Sequence, residues 1–436
     1  MTFNRRHLLF SALALFAAGQ APAGVAGDVY LAIRGDGGGS GTQSDPYDAS
    51  GPDAYDGILT RFTSDTDFYY APGTYVTRGY SFGQRETAHA GCRHHGAGVD
   101  QTVVQLDGSG SLIVGADWNH PIDGFELHDL TLDCNAQNTA IFQSHQGAVA
   151  AFNAIGNNIL LQNLKVINFG TSQQGQEDFV MFVFPTTAYQ GQTFNNVVFD
   201  GITFTSPATG NADGASIVTI GGPQGVTVNG TVTNCRFVDC WSDFTYSHCF
   251  NASDCENNYV QHCTQGMYFE PSDSQDHTWT VKNNTFVDVE YGIYINWHPG
   301  AHLGSVIFDN NDVSLIADLP DQAAVGINDG GINSGDPSAS IDYIEFENNT
   351  VNLASDAGPD AQYAHALDLR SPGNHYTINQ VVVSGNNVSL PGVEYNIGSG
   401  VVGNLNLGTA GSGATPNPTP NPTPNPTPKH HHHHRA

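Results

Sequence analysis

Positive charge is scarce in this sequence. Its 436 residues include 13 Lys and Arg against 42 Asp and Glu, a formal net charge of −29. A field of that sign repels nucleic acid and anionic membrane surfaces, so neither is an expected partner. It repels an acidic polysaccharide too, unless a metal ion or a local cation intervenes. Charged residues of both signs make up only 13% of the chain, so the polar surface must come from Asn, Ser, Thr and Gln. After the apolar run Leu8 to Ala18 there is no other long hydrophobic stretch, and no membrane span is expected. Seven cysteines occur without any C-x-x-C spacing, which argues against a zinc site. Five of them fall between Cys235 and Cys263, and the expectation is buried thiols or one or two disulfides, with Cys240 and Cys263 stacked or paired. The glycine-rich stretch Gly35 to Gly41 lacks a following Lys-Ser/Thr and is no phosphate loop.

What the chain has in abundance is a repeat. The phrase apolar, any, Asn/Asp/Gly, any, any, apolar recurs as Phe199-Asp200-Gly201-Ile202-Thr203-Phe204 and Val232-Thr233-Asn234-Cys235-Arg236-Phe237. It returns around Asn257-Asn258, Asn283-Asn284, Asn310-Asn311, Asn348-Asn349 and Gly385-Asn386, with weaker copies at Asp129 and Asn163. The steps between copies are 34, 38, 33, 23, 26, 27, 38 and 37 residues. A period of roughly 20 to 50 residues marks a solenoid. The unit is β: short alternating runs of Val, Ile, Phe, Thr and Tyr broken by Asn, Gly and Asp. No helical period lies between the copies, which excludes leucine-rich and α-solenoid repeats. A two-residue corner needs left-handed backbone, which Asn and Gly tolerate, and stacked Asn side chains can bond from rung to rung.

The ends read differently. Arg5-Arg6 followed by the apolar run suggests a signal peptide over 1–26, of twin-arginine type, and a secreted, periplasmic or cell-surface protein. Ser50 to Phe62 reads as an amphipathic helix capped by Ser50, suited to cover the open end of the solenoid. The solenoid is expected over 27–408. Residues 409–436 hold Pro-Asn-Pro-Thr repeats and a His run, a polyproline-like spacer and tail.

Three openings carry a family resemblance: Phe68-Tyr69-Tyr70-Ala71-Pro72-Gly73-Thr74-Tyr75, Gly96-Ala97-Gly98 through Leu106, and Asp129-Leu130-Thr131-Leu132-Asp133. Here the chain resembles the secreted pectate-lyase-like superfamily over roughly residues 28 to 408. The resemblance implies an all-β fold, a right-handed parallel β-helix with a short N-terminal capping helix. It implies three strands per coil, with the Asn corner between the second and third. The first strands, such as Met267 to Glu270, Ile293 to Asn296, Val325 to Asn328 and Ala366 to Arg370, would then line the substrate groove.

Alternation along those strands sends Met267, Phe269, Ile293, Ile295, Val325, Ile327, Leu367 and Leu369 inward. Outward go Tyr268, Glu270, Tyr294, Asn296, Gly326, Asn328, Asp368 and Arg370. Aromatic faces stack on sugar rings, and amides and carboxylates bond hydroxyls, so the expected partner is a polysaccharide. Catalytic candidates are Glu270, Tyr294 and Arg370. Substrate-binding candidates are Tyr268, Asn296, Asn328 and Asp368, with Trp297 and His298 just beyond Asn296. Hydrolysis needs two carboxylates about 5 to 9.5 Å apart. Glu270 and Asp368 stand three rungs apart, about 14 Å, which leaves Asp273 or Asp276 as the partner of Glu270. Elimination needs a base, such as Tyr268, Tyr294, His248 or His298, and a group that neutralises a uronate, such as Asn296 or Arg370. No cofactor motif is present. Calcium is the one metal considered, with Asp329, Asp336 and Asp342 as ligands. The expectation is a monomeric lyase or glycoside hydrolase acting on a polysaccharide, an acidic one before others. The alternative is a non-catalytic glycan-binding module on a Pro-rich stalk.

Overall fold

The computed structural model describes residues 27–408 apart from 81–85, 109, 118, 141–148, 171–177, 184–185, 206–211, 221–224, 245–249, 272–277, 318–319, 329–331, 333–335, 356 and 372–374. The proposed signal peptide and the Pro-rich tail lie outside them. So do His248, Asp273, Asp276 and Asp329.

The chain winds into stacked coils in which each strand pairs in parallel with its counterparts above and below. Among the described residues one sheet has 23 strands and the other has ten, and every pairing between named strands is parallel. One coil illustrates the path. Tyr291–Asn296 lies in the ten-stranded sheet, His302–Asp309 follows in the larger sheet, and Asp312–Leu315 completes the turn. The next coil repeats it as Ala323–Asn328, Ala339–Glu347 and Thr350–Leu353.

The repeat seen in the sequence is the corner between the second and third strands. All nine aligned residues, from Asp129 to Gly385, have φ between +48° and +67°. Left-handed backbone there turns the chain sharply, and Asn, Asp and Gly bear it at least cost. The second residue of each pair does something else. The side chains of Asn258, Asn284, Asn311, Asn349 and Asn386 form a ladder along the interior. Each backbone N–H of the first four donates to the Oδ1 of the next, at 2.8 to 2.9 Å. Each Nδ2 donates to that same Oδ1 and to a strand carbonyl. So the left-handed member of the pair is Asn283, and Asn284 is the ladder member.

The inward positions pack as the alternation predicts. Met267, Phe269, Ile293, Ile295, Val325, Leu367 and Leu369 are at most 1% exposed. Rings stack between coils, where Phe286, Phe308 and Phe346 have centroids 6.1 and 5.6 Å apart, and within one coil, where Phe269 stacks on Trp279 at 3.9 Å. Each such ring contributes about 1.5–3 kcal/mol by leaving water.

A helix over Pro52–Leu59 covers the first coils, shorter than the expected Ser50–Phe62. Gly51, at φ +82°, holds the cap position; Ser50 instead turns its hydroxyl to Asp48 and accepts from Gly35 N. Pro52 supplies the first turn because its missing N–H would go unpaired there. Tyr55, Ile58 and Leu59 are buried under the helix, and Asp56 accepts from Thr77 Oγ1 at 2.6 Å. Tyr55, Tyr70 and His94 form a buried chain, with Tyr55 Oη 3.0 Å from Tyr70 Oη and Tyr70 Oη 2.7 Å from His94 Nδ1.

Cys92, Cys134, Cys235, Cys255 and Cys263 are buried. The side chain of Cys240, expected to stack on or pair with Cys263, is not among those described. Cys263 Sγ lies 3.4 Å from the carbonyl of Gln261. Burial pushes the Cys92 thiol up to about 11 and Cys235 up to about 12, so both stay protonated.

Candidate functional site

The ten-stranded sheet brings the expected strip together. Register pairs Tyr268 with Tyr294, Tyr294 with Gly326, Gly326 with Asp368 and Asp368 with Asn396. These five residues form one column on the outer face. Asn296 and Asn328 pair in the neighbouring column. The Tyr268 and Tyr294 rings stack at 5.8 Å and 15°. Tyr291 was not foreseen. Its ring lies 4.7 Å from Tyr294 and occupies the space above Gly326, where a Cβ would sit 2.9 Å from Tyr291 Cε1. Gly326 is thus the rung that admits a third ring.

Glu270 ends the strip at one side and is only 6% exposed. Its Oε1 accepts from Tyr268 Oη at 2.6 Å and from Asn296 Nδ2 at 2.9 Å. Asn296 Nδ2 also lies 2.9 Å from Tyr268 Oη. Glu270 Oε2 is 3.3 Å from Nε2 of His298, whose side chain is 39% exposed. A buried carboxylate is thus joined to solvent through an imidazole. Burial, and then the negative charge of Glu270, push the Tyr268 hydroxyl far above its ordinary value. Tyr268 is held as a donor, which removes it from the candidate bases.

Trp297 does not line the groove. It is fully buried, with its ring 6.2 Å from Tyr376 in the interior. The strand alternation that sends Asn296 outward turns the next residue inward, so Trp297 is corrected from binding residue to core.

At the other end, Arg370 gives Nε and Nη2 to the two oxygens of Asp368 at 2.7 and 2.6 Å. Its Nη2 also lies 2.9 Å from Asp321 Oδ1. Burial raises the pKa of Asp368, and Arg370 opposes the rise. Burial works to lower that of Arg370, but its two carboxylates outweigh burial and raise it. The bond to His365, with the Arg370 charge, holds Asp321 below its ordinary value. His365 Nδ1 donates to Val393 O at 2.6 Å, and its Nε2 lies 3.3 Å from Asn396 Nδ2. Asp321 and His365 had no signal in the sequence: one precedes a strand and the other begins one, outside any repeated phrase.

Oxygen and nitrogen atoms of Asp321, His365 and Asp368 lie within 4.8 Å of one another, but the guanidinium of Arg370 already serves as the cation there. Glu86, Asp117 and His120 form the other such group among the described residues. Neither group includes Asp336 or Asp342, and Asp329 lies outside the described residues. Asp342 pairs instead with His302 at 3.3 Å and with Asn379 at 2.6 Å.

A solved structure of an endo-xylogalacturonan hydrolase from Aspergillus tubingensis superposes on 88% of this chain and 100% of its own, with a TM-score of 0.53 and 16% identity. The two share the parallel β-helix fold. A surface adhesin of Streptococcus pneumoniae matches more loosely, at TM-score 0.39 and 11% identity over 84% of this chain and 92% of its own. So does the A-module of a mannuronan C-5 epimerase of Azotobacter vinelandii, at 0.32 and 12% over 84% and 99%. No family model and no curated protein matches the sequence. Among the described residues no helix is long and apolar enough to cross a membrane.

Proposed function

We propose that this protein holds a polysaccharide along the outer face of its ten-stranded sheet and hydrolyses it. The observation that carries the reading is the pair Glu270–His298 at the end of a tyrosine-lined strip, with the carboxylate buried and the imidazole half exposed. Tyr268, Tyr294 and Asn296 would position the sugar rings, by stacking and by amide bonds to hydroxyls. Glu270 would deliver or take the proton at the glycosidic oxygen, with His298 as its link to solvent. The second carboxylate that hydrolysis needs would be Asp273 or Asp276, which follow Glu270 in the sequence and lie outside the described residues.

Elimination is less well supported. It requires a free cation or donor to neutralise a uronate, and Arg370 is already held by Asp368 and Asp321. A second reading, a surface module that binds glycans without cutting them, is favoured by one feature. Both oxygens of Glu270 already have partners in the resting structure. Incubation of the purified protein with a polysaccharide panel separates the readings. New reducing ends without unsaturated products support hydrolysis. Ultraviolet-absorbing unsaturated products would overturn it in favour of elimination. Binding without either product would leave the module.

A further inference from the structure

The charge of the strip narrows the glycan, and this step rests on the glycan reading above. Between residues 237 and 428 the sequence has 22 Asp and Glu and only two Lys or Arg, Lys282 and Arg370. Lys282 belongs to the other sheet, where its Nζ lies 3.9 Å from Asp309 Oδ2. Arg370 is on the strip, but Asp368 and Asp321 both hold its guanidinium. Glu270 adds a third carboxylate at the far end, so a ligand laid along the column meets three carboxylates and one guanidinium.

We infer that the glycan carries no acidic groups: a neutral or amino-sugar polymer, not a polyuronate. A uronate would bring one negative charge per residue to a strip whose one Lys or Arg among the described residues, Arg370, is already held by two carboxylates. Sugar hydroxyls and tyrosine faces need no such partner. The reaction follows from the same chemistry. Without a carboxyl beside the ring C–H there is no acidic proton to eliminate. The glycosidic C–O bond is therefore broken by water, with the hydroxyl going to the anomeric carbon and the proton to the leaving oxygen.

The test is affinity electrophoresis of the full chain through gels containing xyloglucan, hydroxyethylcellulose or polygalacturonate, at low ionic strength, with EDTA or with calcium. The expected result is retardation by xyloglucan or hydroxyethylcellulose and at least about tenfold weaker retention by polygalacturonate in both buffers. Asp321→Asn should release part of the Arg370 guanidinium and strengthen retention by polygalacturonate relative to the uncharged polymer. Polygalacturonate binding as tight as the best uncharged polymer, with or without calcium, would overturn the inference and leave the glycan reading standing. Retardation by none of the polymers would remove the glycan reading and this inference with it.

Discussion

The carboxamide nitrogen of Asn284 lies 3.0 Å from Oδ1 of Asn311, and both side chains are buried. In the same ladder Asn284 Oδ1 accepts from Asn258 N and Nδ2. Asn284→Leu would leave the Asn258 N–H and the Cys255 carbonyl without these partners. The expected loss is about 1–3 kcal/mol for each buried group left unpaired, read as a lower denaturation midpoint. Asn283→Ala acts through the backbone instead, at φ +57°, and should cost about 1–2 kcal/mol, while Asn283→Gly should be nearly neutral. Equal stability of Asn284→Leu and the parent would remove the ladder from the account of stability.

Acid should loosen the N-terminal end. Burial holds His94 neutral, with its pKa brought down from 6.5 to about 3. The unfolded chain takes up a proton as pH falls below 6.5, and the folded chain does so only near 3. Stability present above pH 6.5 is therefore lost on the way down to about 3, by about 1.4 kcal/mol per pH unit from this one group. His94→Phe keeps a ring against Phe68 and removes the titration, so its stability should fall less steeply with acid. Parallel stability profiles for the two proteins would show that His94 is not the group responsible.

Tyr294→Ala removes a ring stacked on Tyr268 and should weaken glycan binding by about 1 kcal/mol. Glu270→Gln should leave the melting temperature nearly unchanged and lower kcat by about 10²–10⁴-fold. Unaltered turnover in the Gln variant would take Glu270 out of the chemistry, and the module reading would gain.

Arg370→Ala leaves Asp368, 7% exposed, without its bidentate partner. The expected cost is about 3 kcal/mol near neutral pH. Burial already raises the Asp368 pKa, and loss of the guanidinium raises it further. A carboxyl with a raised pKa is least costly when protonated, so the deficit of the variant should shrink as pH falls through that value. A deficit independent of pH would mean that lost packing, not the buried charge, sets the cost.

Much of the fold could be read from the spacing of Asn, Asp and Gly. Those residues recur because one backbone angle recurs: Asp129, Asn163, Gly201, Asn234, Asn257, Asn283, Asn310, Asn348 and Gly385 all have positive φ. The strip was legible to the same extent, since alternation alone placed Tyr268, Tyr294 and Asp368 in one column. The same alternation turns Trp297, the residue after an outward Asn, into the core rather than toward a ligand.

Local sequence by itself determined the coil: where it turns, which residues face in, and which side chains line the outer face. Those are short-range consequences of backbone sterics and a two-residue side-chain period. Tertiary structure alone decided which partners those side chains meet. Asp321 lies 49 residues before Arg370 and Tyr291 lies 35 before Gly326 in the chain, yet each pair is in contact. The loops between strands vary in length, so no fixed interval links such residues. Only the stacking of coils puts the two carboxylates on one guanidinium and joins Glu270 to His298.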